Sequence, residues 1–109
     1  MPGTIDRRTL TRIKRGEVAI DVRLDLHGLT QEAAHRALAR FIATSAADGT
    51  RLALVITGKG RGGEGVLRTA VPRWLAEPAM RSRILAVTPA AANHGGAGAL
   101  YILLRRSRP

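Results

Sequence analysis

The stretch from Arg51 to Thr57 constrains the fold most, because it encloses five apolar residues in a row, Leu-Ala-Leu-Val-Ile. A strand with one face in water alternates apolar and polar residues. A continuous apolar run is instead typical of a strand that is covered on both faces or lies centrally in a sheet. The rest of the chain must therefore supply the strands and helices that cover it. One domain is expected, since 109 residues with 45% hydrophobic content suffice for a single core.

Periodic patterns elsewhere in the chain supply those neighbours. Apolar residues alternate over 18–26, which predicts a first strand. Thr30 is a candidate N-cap, with Glu32 in the first turn, for a helix that ends near Asp48 and Gly49. The remaining predicted elements are a basic helix over 6–15, a second core helix over 66–75 that Pro72 should kink or break, and strands over 82–88 and 99–105.

After the basic N-terminal helix, the predicted elements follow the order β-α-β-α-β-β. Right-handed crossovers make the first three strands parallel, and the short final connection makes the last strand antiparallel. We therefore predict an α/β fold, a two-layer βαβαββ sandwich with a four-stranded mixed sheet, plus a basic N-terminal arm. The loops that follow the first three strands then emerge at one edge of the sheet, where open α/β sheets bind ligands.

The charge of the chain points to a polyanionic partner. Lys and Arg number 18 against 8 Asp and Glu, which gives a formal net charge of +10 at pH 7. Arg binds phosphate bidentately and stays charged, so nucleic acid is favoured over a merely solubilising surface. Aromatic residues make up only 3%, which argues against a base-stacking sheet of the RRM or OB type.

The sequence also bears on the location of the protein. It has no cysteine, no apolar signal core at its start and no apolar run as long as a membrane span. We expect a monomer in the cytoplasm, without membrane contact.

Residues 24–28, Leu-Asp-Leu-His-Gly, carry the strongest candidate chemistry. Asp25 and His27 are two positions apart at a predicted strand end, so their side chains face the same side. The helix that begins after Thr30 places its positive dipole end nearby. That dipole and the many arginines favour a neutral imidazole, which can act as a base. The alternative is that His27 is a structural residue at a strand end, with its ring hydrogen-bonded within the protein.

A basic glycine-rich loop, Gly-Lys-Gly-Arg-Gly-Gly over 58–63, follows the second predicted strand. It matches Gly-x-Gly-x-x-Gly, but the chain is short and lacks the acidic strand end that a dinucleotide fold places about twenty residues later. It also lacks the Gly-Lys-Ser/Thr of a Walker loop. Glycines let backbone N–H groups approach an anion at a helix start, and Lys59 and Arg61 add charge. Phosphate contact is therefore favoured over a merely flexible turn.

The loop before the last strand contains a second histidine, in His94-Gly95-Gly96. It is similar to a lipase oxyanion loop, but the chain has no Gly-x-Ser-x-Gly, which disfavours serine hydrolysis. His94 is interpreted either as a second phosphate or base contact or as a structural residue, and the two interpretations stay open. His35 lies beside the apolar face of the first core helix and is interpreted as structural.

Three segments together resemble the Smr (small MutS-related) domain family. They are residues 24–28, residues 57–60 with the sequence Thr-Gly-Lys-Gly, and residues 94–101 with the sequence His-Gly-Gly-Ala-Gly-Ala-Leu-Tyr. The resemblance implies a fold akin to the C-terminal domain of a bacterial translation initiation factor. It also implies endonuclease activity, on DNA by nicking or on RNA.

The resemblance assigns roles and boundaries. Its first motif falls on Asp25 and His27, while its second, usually His-Gly-x-Gly, has Thr57 in place of the histidine. The Smr domain would span 22–106, after a basic arm over 1–21 and before a tail over 107–109. The arm suggests a stand-alone Smr protein rather than the tail of a mismatch-repair-like ATPase.

The leading hypothesis is therefore an Smr-type endonuclease that cleaves phosphodiester bonds in DNA or RNA. His27 would act as general base or acid, Asp25 would orient it or hold a divalent cation such as Mg or Mn, and Lys59 would stabilise charge on the phosphate. The alternatives are a non-catalytic module that binds nucleic acid or the ribosome through the same crevice, and an enzyme of small phosphorylated molecules. The expected nucleic-acid contacts are Thr57, Gly58, Gly60, Arg61, His94, Gly95 and Gly96.

Overall fold

The computed structural model describes residues 5–59 and 65–105. Within these ranges no helix combines the length and apolar character that crossing a membrane requires. The 3₁₀ turns Ala92–His94 and Gly96–Gly98 lie in the loop before the last strand. The helices and strands are α1 (Arg7–Lys14), β1 (Val22–Asp25), α2 (Gln31–Ala47), β2 (Leu52–Ile56), α3 (Gly65–Leu75), α4 (Pro78–Arg81), β3 (Ile84–Pro89) and β4 (Ala99–Leu104).

The strands form one four-stranded mixed sheet in the order β1-β2-β4-β3. β1 pairs with β2 in parallel, and β4 is antiparallel to both β2 and β3. β3 therefore runs parallel to β1 and β2, which confirms the predicted fold class and strand directions. The last strand inserts between β2 and β3, so the carboxyl ends of the three parallel strands lie at one edge, on either side of the start of β4.

The three later helices cover the first face of the sheet. α2 begins where Thr30 accepts a hydrogen bond from the Ala33 amide at 3.2 Å, which confirms the predicted cap. α3 continues through Pro72, and the short helix α4 was not predicted. The core on this face is apolar and includes Leu26, Leu38, Ile42, Val55, Val71, Ile84 and Ile102.

The basic N-terminal helix packs on the second face of the sheet. Asp6 caps α1 by accepting a 2.7 Å hydrogen bond from the Thr9 amide, and Ile13 is only 2% exposed. Ile13 lies in a cluster with Leu54 and Tyr101, whose side chains leave the sheet on this side. The segment expected as an arm is therefore docked along residues 5–16, and it is one reason why β2 is apolar at every position.

The first strand is shorter than predicted, because residues 18–21 do not pair as a strand. Val18 and Ile20 pack against the cluster on the second face, so their alternation reports burial rather than strand pairing. Asp21 donates its backbone N–H to the Leu52 carbonyl at 2.9 Å, and its carboxylate accepts hydrogen bonds from the amides of Arg51 and Leu52, at 3.1 and 3.0 Å. A side chain that satisfies neighbouring backbone donors holds this segment where strand pairing stops.

We predict that Ile13→Ala destabilises the fold by about 2–5 kcal/mol, because it removes a buried side chain from the contact between α1 and the sheet. Urea unfolding of the whole chain measures the effect. Arg12→Ala, at the neighbouring exposed position, is the control and should change stability by less than about 0.5 kcal/mol. Equal small effects of the two substitutions would show that α1 is not packed on the sheet in solution.

Candidate active site

Asp25 and His27 form a hydrogen-bonded pair at the carboxyl end of β1. His27 Nδ1 lies 2.6 Å from Asp25 Oδ1, and the His27 backbone N–H donates to the same oxygen at 3.0 Å. The side chains keep 62% and 48% of their surface exposed, so a ligand can reach both. Gly28 follows with φ +81°, a left-handed conformation that lets the chain turn from β1 toward α2.

The charge of Asp25 decides which nitrogen of His27 carries a proton. Burial raises the pKa of Asp25, but the hydrogen bonds from the His27 ring and backbone outweigh it, so the pKa lies below the ordinary 3.8. At neutral pH the carboxylate is ionised and can only accept hydrogen bonds. In a neutral His27 the Nδ1 therefore carries the proton, and Nε2 keeps the lone pair that a general base needs.

The pair lies on the side of the sheet that α1 covers. Asp25 is the register partner of Ile56, and Ile56 is the partner of Ala99 on β4. Ile56 and Ala99 both belong to the cluster on the second face, and paired residues of neighbouring strands point to the same side. The intervening residue Leu26 is fully buried in the core of the first face. Alternation along the strand therefore places Asp25 and His27 on the side of the basic helix.

The start of the glycine-rich loop is bound tightly to the loop before β4. The amides of Thr57 and Gly58 both donate to the Gly98 carbonyl, at 2.8 and 3.1 Å. A Cβ placed on Gly98 would lie 3.0 Å from Gly58 C and from Lys59 Cγ, so a side chain at this position would require the neighbouring loop to shift by a few tenths of an ångström. The Gly58 amide is thus already paired within the protein. The predicted contacts Gly60 and Arg61 lie outside the described residues.

Thr57 points into the protein rather than out of it. It is 2% exposed, and its hydroxyl lies 3.0 Å from the Gly58 carbonyl oxygen and 3.3 Å from that of Gly98. The hydroxyl therefore donates to the loop backbone. Lys59, two residues later, is exposed. Direct contact of Thr57 and Lys59 with nucleic acid stays a prediction.

His94 is held by a buried tyrosine. Its Nδ1 is hydrogen-bonded to the hydroxyl of Tyr101, and the two rings meet edge to face with centroids 5.6 Å apart. The same hydroxyl accepts a hydrogen bond from the Ala91 amide at 3.2 Å. The amides of Gly95 and Gly96 donate to backbone carbonyls within the loop. The structure therefore gives His94 a structural partner, and its contact with a ligand, like those of Gly95 and Gly96, stays a prediction.

Arg68 is a candidate residue that the sequence interpretation missed. It lies in the first part of α3, and its guanidinium is 3.5 Å from the Lys59 carbonyl oxygen. It also lines a cleft of about 440 Å³ between α3 and the loop before β4. The feature of the sequence that could have identified Arg68 is its position, since it is a basic residue one turn into the helix that follows the basic glycine-rich loop.

The third histidine has a structural role, as interpreted from the sequence. His35 Nε2 lies 2.8 Å from Glu77 Oε1, and its ring stacks on Trp74 with centroids 4.6 Å apart. These contacts tie α2 to α3 and to the start of α4. Across residues 5–59 and 65–105, no group of three or more His, Asp or Glu side chains lies close enough together to hold a metal ion by itself. The described residues therefore do not form a ready-made cage for the expected divalent cation.

Comparison with known families decides the classification. The family model of the Smr domain matches residues 24–105. The chain belongs to the Smr domain family. The match confirms the resemblance drawn from the three sequence motifs, and it includes both loops and the Asp25–His27 pair.

Curated relatives of this Smr domain are longer than the chain. The ribosome rescue factor SmrB of Vibrio vulnificus is 39% identical over 93 residues, which are 85% of this chain and 49% of that protein. The protein of the same name from Yersinia enterocolitica is 35% identical over 103 residues, covering 94% of this chain and 54% of its own length. The chain thus spans about half the length of the curated relatives it matches.

Solved structures share the fold. YdaL, a stand-alone small MutS-related protein from Escherichia coli, aligns with a TM-score of 0.78 at 31% identity, over 94% of this chain and 78% of YdaL. The Smr domain of Thermus thermophilus MutS2 aligns with a TM-score of 0.68 at 27% identity, over 78% of this chain and 99% of that domain. The YdaL alignment covers more of this chain than the family model does.

We predict that His27→Ala raises the pKa of Asp25, because the substitution removes the ring hydrogen bond and leaves burial to disfavour the charged carboxylate. The backbone N–H of residue 27 remains, so part of the lowering should persist. Carbon-detected NMR titration of the carboxyl groups measures the change. The Asp6 carboxyl, whose pKa the Thr9 amide lowers, serves as an internal control that should not move.

The sign of the accompanying stability effect follows from the lowered pKa. A carboxyl group whose pKa is depressed by folding stabilises the fold above its ordinary value of 3.8, and this contribution is lost as pH falls through the folded value. His27→Ala should therefore reduce the acid-dependent part of the stability. An Asp25 pKa that is the same in both proteins would contradict the assigned pairing.

We predict that Gly98→Ala destabilises the domain by about 1–3 kcal/mol, because the new methyl group would force the two loops apart at Gly58 and Lys59. Urea unfolding measures the loss, and amide NMR shifts of Gly58 and Lys59 should report the movement. Ala97→Ser, which adds one atom at the adjacent exposed position, is the control. Unchanged stability and shifts in Gly98→Ala would mean that the loops do not touch in solution.

Proposed function

We propose that this Smr domain is an endonuclease that cleaves phosphodiester bonds of nucleic acid, with His27 as its general base and Asp25 as the residue that orients it. The observation that carries the proposal is the exposed pair itself. The ionised Asp25 carboxylate accepts a hydrogen bond from Nδ1, so in the neutral ring Nε2 is the basic nitrogen. This is the arrangement by which a carboxylate and an imidazole activate a hydroxyl nucleophile.

RNA suits this pair better than DNA. In RNA the 2′-hydroxyl beside the scissile phosphate is the nucleophile: His27 Nε2 removes its proton, the oxygen attacks phosphorus to form a 2′,3′-cyclic phosphate, and the departing 5′-oxygen takes up a proton from water. In DNA, water must be activated instead, which commonly requires a metal ion. The curated relatives are named ribosome rescue factors, which supports a function connected with the ribosome or with nucleic acid.

Lys59 is proposed to stabilise the charge that grows on the phosphate oxygens. It is exposed on the loop that leaves β2, next to the strand that carries the pair. Neighbouring strands lie about 4.8 Å apart, so a long side chain from this loop can reach a phosphate held at His27. A fixed cation at the point where negative charge develops is a strong contributor to such reactions.

A non-catalytic module that binds nucleic acid or the ribosome is the second candidate function. One observation favours it: Thr57, which stands where the resemblance places a histidine, is buried and donates its hydroxyl to the loop backbone. The basic helix α1 on the side of Asp25 and His27 would serve binding with or without cleavage. The ribosome as partner, the monomeric state and the cytoplasmic location stay predictions.

A cleavage assay tests the proposal. We expect the chain to cleave single-stranded or structured RNA, and His27→Ala to lower the rate about 100- to 10,000-fold because the proton acceptor is lost. Asp25→Asn should lower it less, since it removes the orienting charge and not the base. Asp48→Asn, at the exposed end of α2, is the matched control and should be neutral. A 2′-deoxy nucleotide at the cleavage position should block the reaction.

Several outcomes would contradict this assignment. Equal cleavage by the wild type and His27→Ala would remove His27 from catalysis, and cleavage of the 2′-deoxy strand only with added Mg²⁺ or Mn²⁺ would favour the DNA route. If no cleavage occurs but binding weakens steeply with salt, the non-catalytic module is correct, because salt dependence reports phosphate contacts independently of chemistry.

A further inference from the structure

The cleft beside Arg68 is separate from the Asp25–His27 pair. Its walls are mainly apolar and come from the end of β3 and the loop and start of β4, with Pro89, Ala90, Ala97 and Leu100 among them. Arg68 is its one charged lining residue among those the structure describes. Its volume of about 440 Å³ lies toward the lower end of the range for small-molecule pockets, about 300–1,000 Å³. A nucleobase, whose flat faces are apolar, fits within such a space.

The strand order places this cleft and the catalytic pair on opposite sides of the end of β2. β1, which carries Asp25, borders β2 on one side, and β4, which begins at Ala99 in the cleft wall, borders it on the other. Each neighbour is one strand spacing, about 4.8 Å, from β2. Lys59 follows the end of β2, and its carbonyl oxygen contacts the Arg68 guanidinium. A nucleotide chain that crosses the end of β2 can therefore reach both places within one or two residues.

We propose that the cleft binds the base of one unstacked nucleotide, and that this Smr domain therefore acts on single-stranded nucleic acid or on unpaired loops. The guanidinium of Arg68 packs against the base or binds the adjoining phosphate, which are the two contacts that an arginine makes best with nucleic acid. The inference rests on the proposed function for its substrate, but it concerns the binding of that substrate and not the bond-breaking step.

The chemistry of the cleft argues for an unpaired base. A base inside a duplex is covered on both faces and paired along its edge, so it enters a protein pocket only after leaving the stack. An unpaired base loses no base pairing when it enters the cleft, and it gains contact with the apolar walls. The low aromatic content of the chain does not conflict with this, since Pro89, Ala97, Leu100 and a guanidinium plane provide the contact surface.

Binding of a short single-stranded RNA tests the proposal. The strand carries 2′-fluoro groups, which remove the nucleophile, and an abasic residue is placed at each position in turn. We expect one abasic position to weaken wild-type binding about tenfold, as for loss of one protein–base contact. Ala97→Leu fills the cleft from an exposed position and should weaken binding of the intact strand by a similar factor. In this variant the abasic residue should have no further effect.

Arg68 is tested with a control on the same helix. Arg68→Gln keeps a donor toward the Lys59 carbonyl but removes the charge and the guanidinium plane, and it should weaken binding about tenfold. Arg73→Gln, which is exposed and does not line the cleft, should change it less than twofold. Thermal unfolding confirms that each variant is folded. A duplex of the same sequence should bind more weakly than the single strand.

The outcomes separate this inference from the proposed function. If wild-type protein cleaves RNA but no abasic position matters and Ala97→Leu binds normally, the cleft proposal is overturned and the nuclease assignment stands. If the abasic and Ala97→Leu effects appear without any cleavage, the cleft proposal stands and the nuclease assignment fails. Equal effects of Arg68→Gln and Arg73→Gln would show that Arg68 contributes only to the general charge.

Discussion

Burial of β2 on both faces is the constraint on which the rest of the structure depends. The residues from Leu52 to Val55 are almost fully buried, and β2 is hydrogen-bonded to β1 on one side and to β4 on the other. A strand in this position needs a layer on each face, and the chain provides α2 and α3 on one and α1 on the other. The loop that leaves the carboxyl end of β2 therefore starts from a buried, hydrogen-bonded strand. This suits a site that must hold reacting groups in fixed positions.

The contact between the two glycine-containing loops transmits this rigidity to the candidate site. The Gly98 carbonyl accepts hydrogen bonds from the amides of Thr57 and Gly58, and the two backbones lie so close that a side chain on Gly98 would displace the neighbouring loop. The loop that bears Lys59 is therefore fixed at its start, next to the strand that bears Asp25. Tyr101 has a comparable role for His94, since one buried hydroxyl is hydrogen-bonded to both that ring and the Ala91 amide. Buried polar contacts of this kind order loops that lack regular secondary structure.

Much of the fold could be predicted from local patterns. The alternation, the Thr30 cap and the run before Thr57 located the helices and strands around which the sheet forms, and the crossover rule predicted the strand directions. The alternation at Val18 and Ile20 led to a wrong prediction of strand, because packing under α1 produces the same pattern as a strand with one buried face. The place of Arg68 in the wall of a cleft and the docking of Ile13 could not be predicted, since both depend on contacts between segments that are distant in sequence.

The sequence by itself determined the family, the order of helices and strands along the chain and the candidate catalytic residues. These follow from motifs and periodicity within short segments. Only the tertiary structure decided what those residues face. In the fold, His27 Nδ1 is hydrogen-bonded to Asp25, and Thr57 points inward. The Gly58 amide donates to the Gly98 carbonyl, and Arg68 lies in the wall of a cleft. The reason is physical: a hydrogen bond or an open space is a relation between elements, and it exists only once packing has fixed their distances.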